Sequence, residues 1–293
     1  MKIVFIGAVK FSELVLKKLI EIHSNIVGVC TLEQSNFNAD HVDLSLLSQE
    51  FNIPVRYTPN INSEDTMDWI SGLAPDVIFC FGWSHLIKAQ LLNIAPLGIV
   101  GFHPAMLPVN RGRHPLIWAL VLDLKETGST FFFMDEGTDS GDILSQQTIA
   151  ISENDDAGSL YSRISDTALK QIEQFVPTLA NKTFKRKPQN HSMANYWRKR
   201  GRLDGQIDWR MPALLIHNLV RGLQKPYVGA HFIHGDDDIK VWETEIIHEA
   251  SINTEPGKIL SVDTGGVVVK AGVDAVRLLN IEPQVNLFSG KYL

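Results

Sequence analysis

The sequence predicts an α/β chain: a doubly wound, mostly parallel sheet, followed by a small, mainly antiparallel β domain. Three observations predict it. Continuous apolar runs, such as KIVFIG at 2–7 and PDVIFCFG at 75–82, read as strands buried on both faces. Between them lie segments with helical spacing of apolar residues, so strands and helices alternate as βαβ units. Beyond residue 190 the texture changes to short β-like runs (DIKVWETEII, KILSV, GGVVVKA, AVRLLNI) separated by Gly, Asp and Asn. That pattern suits a small antiparallel sheet or an OB-like barrel.

The elements follow in order. After the 2–7 strand, residues 12–22 carry Leu14, Leu16, Leu19 and Ile20 at helical spacing, with Ser12 as the expected N-cap. Strands at 26–32 and 53–58 flank a helix near 43–51, and a helix over 63–72 leads into the 75–82 strand. A strand at 97–103, a helix at 113–122 and two strands at 127–134 and 142–151 come next, the last two separated by a tight turn. Residues 156–180 place Leu160, Ile164, Ala168, Ile172 and Phe175 on one helical stripe. The polar stretch 181–190, with its proline, reads as a boundary, and one further helix lies near 211–223. The expected organisation is therefore a catalytic-sized domain over 1–185, a linker over 186–205 and a β-rich domain over 206–293.

The first βα turn, GAVKFSE, carries one glycine where a dinucleotide fingerprint needs three. A Rossmann-like topology is expected without nicotinamide binding. The chain has 293 residues with a net charge of −6, which speaks against a general polyanion binder such as a nucleic-acid protein. Its two cysteines, Cys30 and Cys80, both sit in strand-like apolar runs, as suits a reducing, cytoplasmic compartment without disulfides. No apolar run approaches the roughly 18 residues of a membrane span, and the N-terminal run is too short for a signal peptide.

Ligands of open α/β sheets bind at the carboxyl ends of strands, and His103 ends the 97–102 run there. Pro104 and Pro108 stiffen the loop that follows. Alone, His103 reads equally as a structural histidine capping a strand. The stretch MDEGTDSGDIL, 134–144, holds Asp135, Glu136, Asp139 and Asp142, which taken together read as an ordinary solvated loop. Asp139, however, lies between Gly137 and Gly141, which permit backbone shapes other residues resist. A carboxylate held that way can orient an imidazole or accept a proton.

The pair FHPAMLPVNRG (102–112) and MDEGTDSGDIL resembles the signature of the folate-dependent formyltransferases, whose members transfer a formyl group from N10-formyltetrahydrofolate to a primary amine. The resemblance extends to the opening strand and turn, to PDVIFCFGWSHLI at 75–87 and to DGQIDWRMPALLIHNLVRGLQKPYVGA at 204–230. It implies catalysis by His103 and Asp139, with no metal. Attack of an amine on a formyl carbonyl creates an oxyanion, which an imidazole can stabilise while a carboxylate orients it and helps remove the ammonium proton. It also implies a pterin site formed by Phe81, Gly82, Trp83, Leu86 and Ile87, closed by backbone contacts of Gly137, Thr138 and Asp142. Trp83 would offer an aromatic face there, or simply pack at the rim; His85 has no evident role. One departure stands out. The family carries Asn two residues before the histidine, where this chain has Gly101, and loss of one oxyanion donor costs about 10²–10³ in rate. The backbone N–H of Gly101, a water or Asn110 are the candidate replacements.

The acceptor is expected to be the amino group of a nucleotide-linked 4-amino-deoxysugar. RGRHPLIW, 111–118, is similar to a run in enzymes formylating such sugars, which implies substrate contacts from Arg111 and Arg113, with Lys10 and Asn110 as further candidates; each arginine reads equally as a surface charge. The Phe-rich strand 131–133 and the GFHPA form are similar to formyltransferases of nonulosonic (pseudaminic-type) sugar pathways. Methionyl-tRNA formyltransferase is the alternative within the family. Against it, 191–293 holds twelve Lys and Arg and twelve Asp and Glu, and no Lys or Arg occurs between Lys18 and Arg56. A non-catalytic folate or nucleotide-sugar binder is the alternative outside catalysis, prompted by Gly101. The C-terminal region has three open roles: completing the substrate pocket, mediating a homodimer, or packing alone.

Overall fold

The computed structural model describes residues 1–35, 40–248 and 253–293. It resolves into two compact units. The first comprises Met1–Pro115, Thr127–Ile149 and Ser162–Trp197; the second comprises Leu116–Glu126, Ala150–Tyr161 and Arg198–Leu293.

The first unit opens with β1 (Lys2–Ile6), α1 (Lys10–Glu21), β2 (Asn25–Thr31), α2 (Ser45–Glu50), β3 (Val55–Tyr57), α3 (Glu64–Gly72), β4 (Val77–Cys80), α4 (Ala89–Leu92) and β5 (Ile99–His103). These strands pair in parallel in the order β3-β2-β1-β4-β5. The two-residue β6 (Arg111–Gly112) follows; α5 (Pro115–Val121) then lies almost wholly in the second unit's first segment, and β7 (Glu126–Phe133) and β8 (Ile143–Ala150) extend the sheet. β7 runs antiparallel to β5, with Gly101 opposite Phe132 and His103 opposite Thr130. The apolar runs are buried as continuous strands should be: Ile3, Val4, Phe5, Ile6, Val77, Ile78 and Phe79 are all inaccessible to solvent.

Ser12 is not the cap of α1. The helix begins two residues earlier, and the Ser12 hydroxyl instead donates to the Phe81 carbonyl at 2.6 Å while accepting from the Val9 N–H at 3.2 Å. It thereby ties the first turn to the end of β4. Cys30 and Cys80 flank Ile6 on neighbouring strands. Burial raises both thiols to about 12, so they stay protonated and inert. The stripe of α6 (Ala157–Ala180) is buried throughout, at Leu160, Ile164, Ala168, Ile172 and Phe175.

The segment expected as a linker over 186–205 is paired along much of its length. Lys187 bridges to Ile143, and β9 (Tyr196–Trp197) pairs in parallel with β6. Its backbone groups find partners in the first unit, so the chain is held there up to Trp197.

The second unit is built around α7 (Ala213–Gly222) and the strands β10 (Ala230–His234), β11 (Asp237–Ile247), β12 (Ile259–Asp263), β13 (Gly266–Lys270) and β14 (Ala275–Glu282). The five strands form an antiparallel sheet in the order β10-β11-β14-β13-β12. Ile216, Leu219 and Val220 of α7 pack with Phe232, Ile239, Val241, Val276 and Leu278 in its core. On the same helix, burial lowers the titration of His217, reinforced by the Arg221 guanidinium and opposed by its contact with Thr244. A histidine depressed in the folded state is protonated first in the unfolded chain, so stability is retained above its ordinary range near 6.5 and lost as the pH falls. The second unit's thermal midpoint is expected to drop between pH 7 and pH 5, and His217→Gln to flatten that slope. Melting curves across this range read the effect directly.

Candidate active site

β5 delivers His103 to the carboxyl edge of the parallel strands, beside the loop that leaves β4. The stretch after it turns back on itself: the Ala105 N–H donates to the His103 carbonyl at 2.9 Å, Leu107 to Ala105 at 3.1 Å, and Val109 to Met106 at 3.1 Å. The Thr130 hydroxyl and the Gln146 amide fix this path from the sheet, donating to the carbonyls of Ala105 and Leu107 at 2.6 and 2.8 Å. The return places the Asn110 carbonyl 2.7 Å from His103 Nε2. A carbonyl only accepts, so Nε2 carries the proton in this contact. Nδ1 then faces Asp139 Oδ2 at 3.6 Å, and the imidazole is only 5% exposed.

Asp139 takes a left-handed backbone, φ 50°, a conformation Asp tolerates better than most residues. Its Oδ2 accepts from the Gly112 N–H at 2.8 Å, and its side chain remains 21% exposed. The turn that carries it is tight. A Cβ at Gly141 would lie 1.8 Å from the Phe133 carbonyl oxygen, so only glycine fits. Asp135 organises the opposite side, its Oδ1 accepting from the Gly137 N–H at 3.0 Å and the Ser140 hydroxyl at 2.7 Å. Asn110 (φ 64°) and His114 (φ 56°) are also left-handed. Strained non-glycine residues thus cluster around the His103–Asp139 pair, as they do where a site is pre-formed. A shielded proton donor beside a half-open carboxylate can protonate a developing oxyanion and take a proton from an attacking group.

The other predicted residues divide. Phe81 is completely buried, stacked on Phe79 (5.4 Å between centroids) and edge-on to Phe5 and Phe131. Ile87 is buried in the core with Cys80 and Leu91. Both side chains are core groups, so a contact from either position to a pterin would run through its backbone. Gly82 is where the chain leaves the sheet, with φ +68° and room for no Cβ against Val9, 2.1 Å away. Beyond it Trp83 lies half-buried, its indole N–H enclosed without a hydrogen-bond partner, and Leu86 is 69% exposed. The Asn62 side chain braces this loop, donating to the Leu86 carbonyl and accepting from the Lys88 N–H, both at 2.8 Å. Gly137 and Thr138 are exposed at the tip of the 134–142 turn, and the Asp142 carbonyl accepts from the Phe133 N–H at 2.8 Å.

Of the basic candidates, Arg113 is half-buried and donates to the Ser84 carbonyl at 3.3 Å, which places it against the loop after β4. Lys10 is exposed and paired with Glu13 at 2.8 Å. Arg111 is 1% exposed and its guanidinium is engaged at all three nitrogens: Nε and Nη2 donate to Gln189 Oε1 at 3.3 and 2.7 Å, Nη1 to the Tyr196 hydroxyl at 2.9 Å, and Nη2 also lies 3.2 Å from His191 Nδ1. The expected substrate contact from Arg111 is therefore replaced by a framework role. Asn110 is engaged through its backbone on both sides, its N–H donating to Asn195 Oδ1 at 2.7 Å.

Gly101 is enclosed. A Cβ there would meet Met134 Cγ at 3.0 Å and the Phe132 ring at 3.1 Å, so a side chain at 101 requires those two to give by a few tenths of an ångström. The residues 36–39 of the stretch lacking basic charge lie outside the described residues. Sequence reasoning missed Gln189, Asn195 and Asn62, whose partners are tens of residues away and leave no local pattern. Among the described residues, no group of three or more His, Cys, Asp or Glu is placed to hold a metal ion.

The chain matches the family model described as formyl transferase over residues 1–176 and the model for the formyl transferase C-terminal domain over 202–286. It is 28% identical over 288 residues to a methionyl-tRNA formyltransferase of Desulforamulus reducens, covering 97% of this chain and 90% of that one. Among solved structures it resembles WlaRD, a sugar 3N-formyl transferase crystallised with dTDP and 5-N-formyl-THF (TM-score 0.71, 17% identity, 97% and 99% of the two chains). It also resembles an N-formyltransferase of Helicobacter canadensis in complex with folinic acid and dTDP-3-aminofucose (TM-score 0.70, 16% identity, 95% and 99%). With both family models matched in chain order over most of its length, the chain belongs to the formyl transferase family and is an enzyme that transfers formyl groups.

Proposed function

We propose that the chain moves a formyl group from N10-formyltetrahydrofolate to the amino group of a nucleotide-linked amino-deoxysugar, with His103 and Asp139 as its catalytic pair. The attacking amine adds to the formyl carbon, the carbonyl oxygen takes up negative charge, and the C–N10 bond then breaks. The amine loses one proton and N10 gains one, so a single donor–acceptor pair suffices. His103 steadies the oxyanion as a hydrogen-bond donor; Asp139, open to solvent, takes the amine's proton and passes it to N10 as the C–N10 bond breaks. For the donor, the half-buried aromatic face of Trp83 and the exposed Leu86 supply apolar contacts for a pterin. The reading of Gly137, Thr138 and Asp142 as backbone contacts to that donor, and of Arg113 as a contact to the acceptor, belongs to the same proposal.

The observation that carries the choice of acceptor is charge. Residues 191–293 hold equal numbers of basic and acidic residues, and none of residues 19–55 is Lys or Arg, whereas a tRNA surface must neutralise phosphates. The resemblance to dTDP-sugar enzymes over nearly the whole chain supports the same reading. The 28% identity to a methionyl-tRNA formyltransferase favours the second reading, tRNA. Binding of initiator methionyl-tRNA at 50 and 200 mM salt separates them. The sugar reading predicts no saturable complex at either concentration. A complex that weakens by orders of magnitude between the two would favour tRNA.

A further inference from the structure

The tripeptide Asn110–Arg111–Gly112 holds both members of the pair at once. Its first residue accepts from His103 Nε2 through a carbonyl, and its third donates to Asp139 Oδ2 through an N–H. Its middle residue reaches Asp139 by another route, through Gln189. That glutamine is 6% exposed. Its Oε1 accepts from two nitrogens of Arg111, and its Nε2 donates to the carbonyls of Asp139 (2.9 Å) and Gly141 (2.6 Å). All the hydrogen-bonding capacity of one buried amide is thus spent between the residue that frames His103 and the turn that carries Asp139. The carbonyl it holds at 139 belongs to the strained residue itself, where φ is positive.

We infer that Gln189 is a positioning residue that sets the distance and orientation of Asp139 relative to His103. The inference rests on the reading of that pair as catalytic. Gln189 touches neither side chain of the pair, and it acts through the 139–141 backbone. A buried amide can do this because each bond it makes is strong in a dry setting and costly to leave unmade. A shift of about 1 Å in a catalytic group costs up to about 10²-fold in rate.

Gln189→Glu is the discriminating variant. It is isosteric and keeps an acceptor for Arg111, so the framework survives, but it replaces the NH2 group that donates both bonds with a single oxygen that faces the carbonyls of Asp139 and Gly141. The measurement has two readouts: steady-state formyl transfer from N10-formyltetrahydrofolate, and the NMR resonance of the His103 ring, assigned by its loss in His103→Ala. The expected result is a kcat about 10- to 100-fold lower with KM for the donor within about twofold. The His103 resonance should move in the direction seen in Asp139→Asn. A Gln189→Glu enzyme with wild-type kcat and an unmoved His103 resonance overturns the inference. If His103→Ala retains full activity while the resonance still moves in Gln189→Glu, the positioning stands and the catalytic reading of the pair falls.

Discussion

His103→Ala is expected to lower kcat for formyl transfer by about 10²- to 10⁴-fold, the range for removal of a positioned proton donor, and to leave the fold intact. The imidazole sits at the end of β5, not inside it, and its Nε2 is bonded only to the carbonyl of a surface turn. The main loss on truncation is therefore chemical. Asp139→Asn should follow the same direction with a smaller effect, because the amide keeps the size of the carboxylate and can still accept from Gly112. Circular dichroism and donor binding establish that the His103→Ala protein is folded. A folded variant with wild-type turnover would remove His103 from the chemistry.

Gly141→Ala is the second large effect, and it arises from one carbonyl. The added Cβ would stand 1.8 Å from the Phe133 oxygen and 3.0 Å from its carbon. Backbone cannot swing away there without breaking the 2.8 Å bond from the Phe133 N–H to the Asp142 carbonyl or the 2.6 Å bond from Gln189 to Gly141 itself. The turn must move, and Asp139 moves with it. The expected outcome is a loss of about 1–3 kcal/mol in unfolding free energy together with a kcat reduced about 10- to 100-fold. Denaturant titration and steady-state kinetics read the two effects separately. Wild-type values of both would mean that the turn is looser than its packing implies.

Much of the architecture was legible because it depends on local pattern. The alternation of apolar runs and helical stripes located β1 to β5, the tight turn at 134–142 joined two strands, and the stripe from Leu160 to Phe175 is buried as its spacing requires. What escaped depends on distance. Ser12 has the chemistry of a cap, but its hydroxyl is claimed by a carbonyl 69 residues away. Phe81 resembles a ligand-loop aromatic, yet it faces Phe79, Phe5 and Phe131 across the strands, contacts that only the sheet order creates. In Arg-Gly-Arg nothing local distinguishes the buried Arg111 from the half-buried Arg113. The two-residue strands β6 and β9 have no periodicity to read, and the polar texture around Gln189 suggested a linker because its bonds to Arg111 and Asp139 span 78 and 50 residues. The site motif was visible in His103 and Asp139; the frame that holds them was not.

Gly101 bears directly on the mechanism. Glycine supplies no side-chain donor there, so any second oxyanion donor must come from the loop, the backbone or a water, and the burden on His103 rises accordingly.

The most direct test is formyl transfer from N10-formyltetrahydrofolate to a panel of UDP- and dTDP-linked amino-deoxysugars bearing the amine at C3 or C4, with charged initiator tRNA assayed alongside. The expected result is turnover of at least one sugar, abolished in His103→Ala, and none of the tRNA. Turnover of tRNA alone would contradict it.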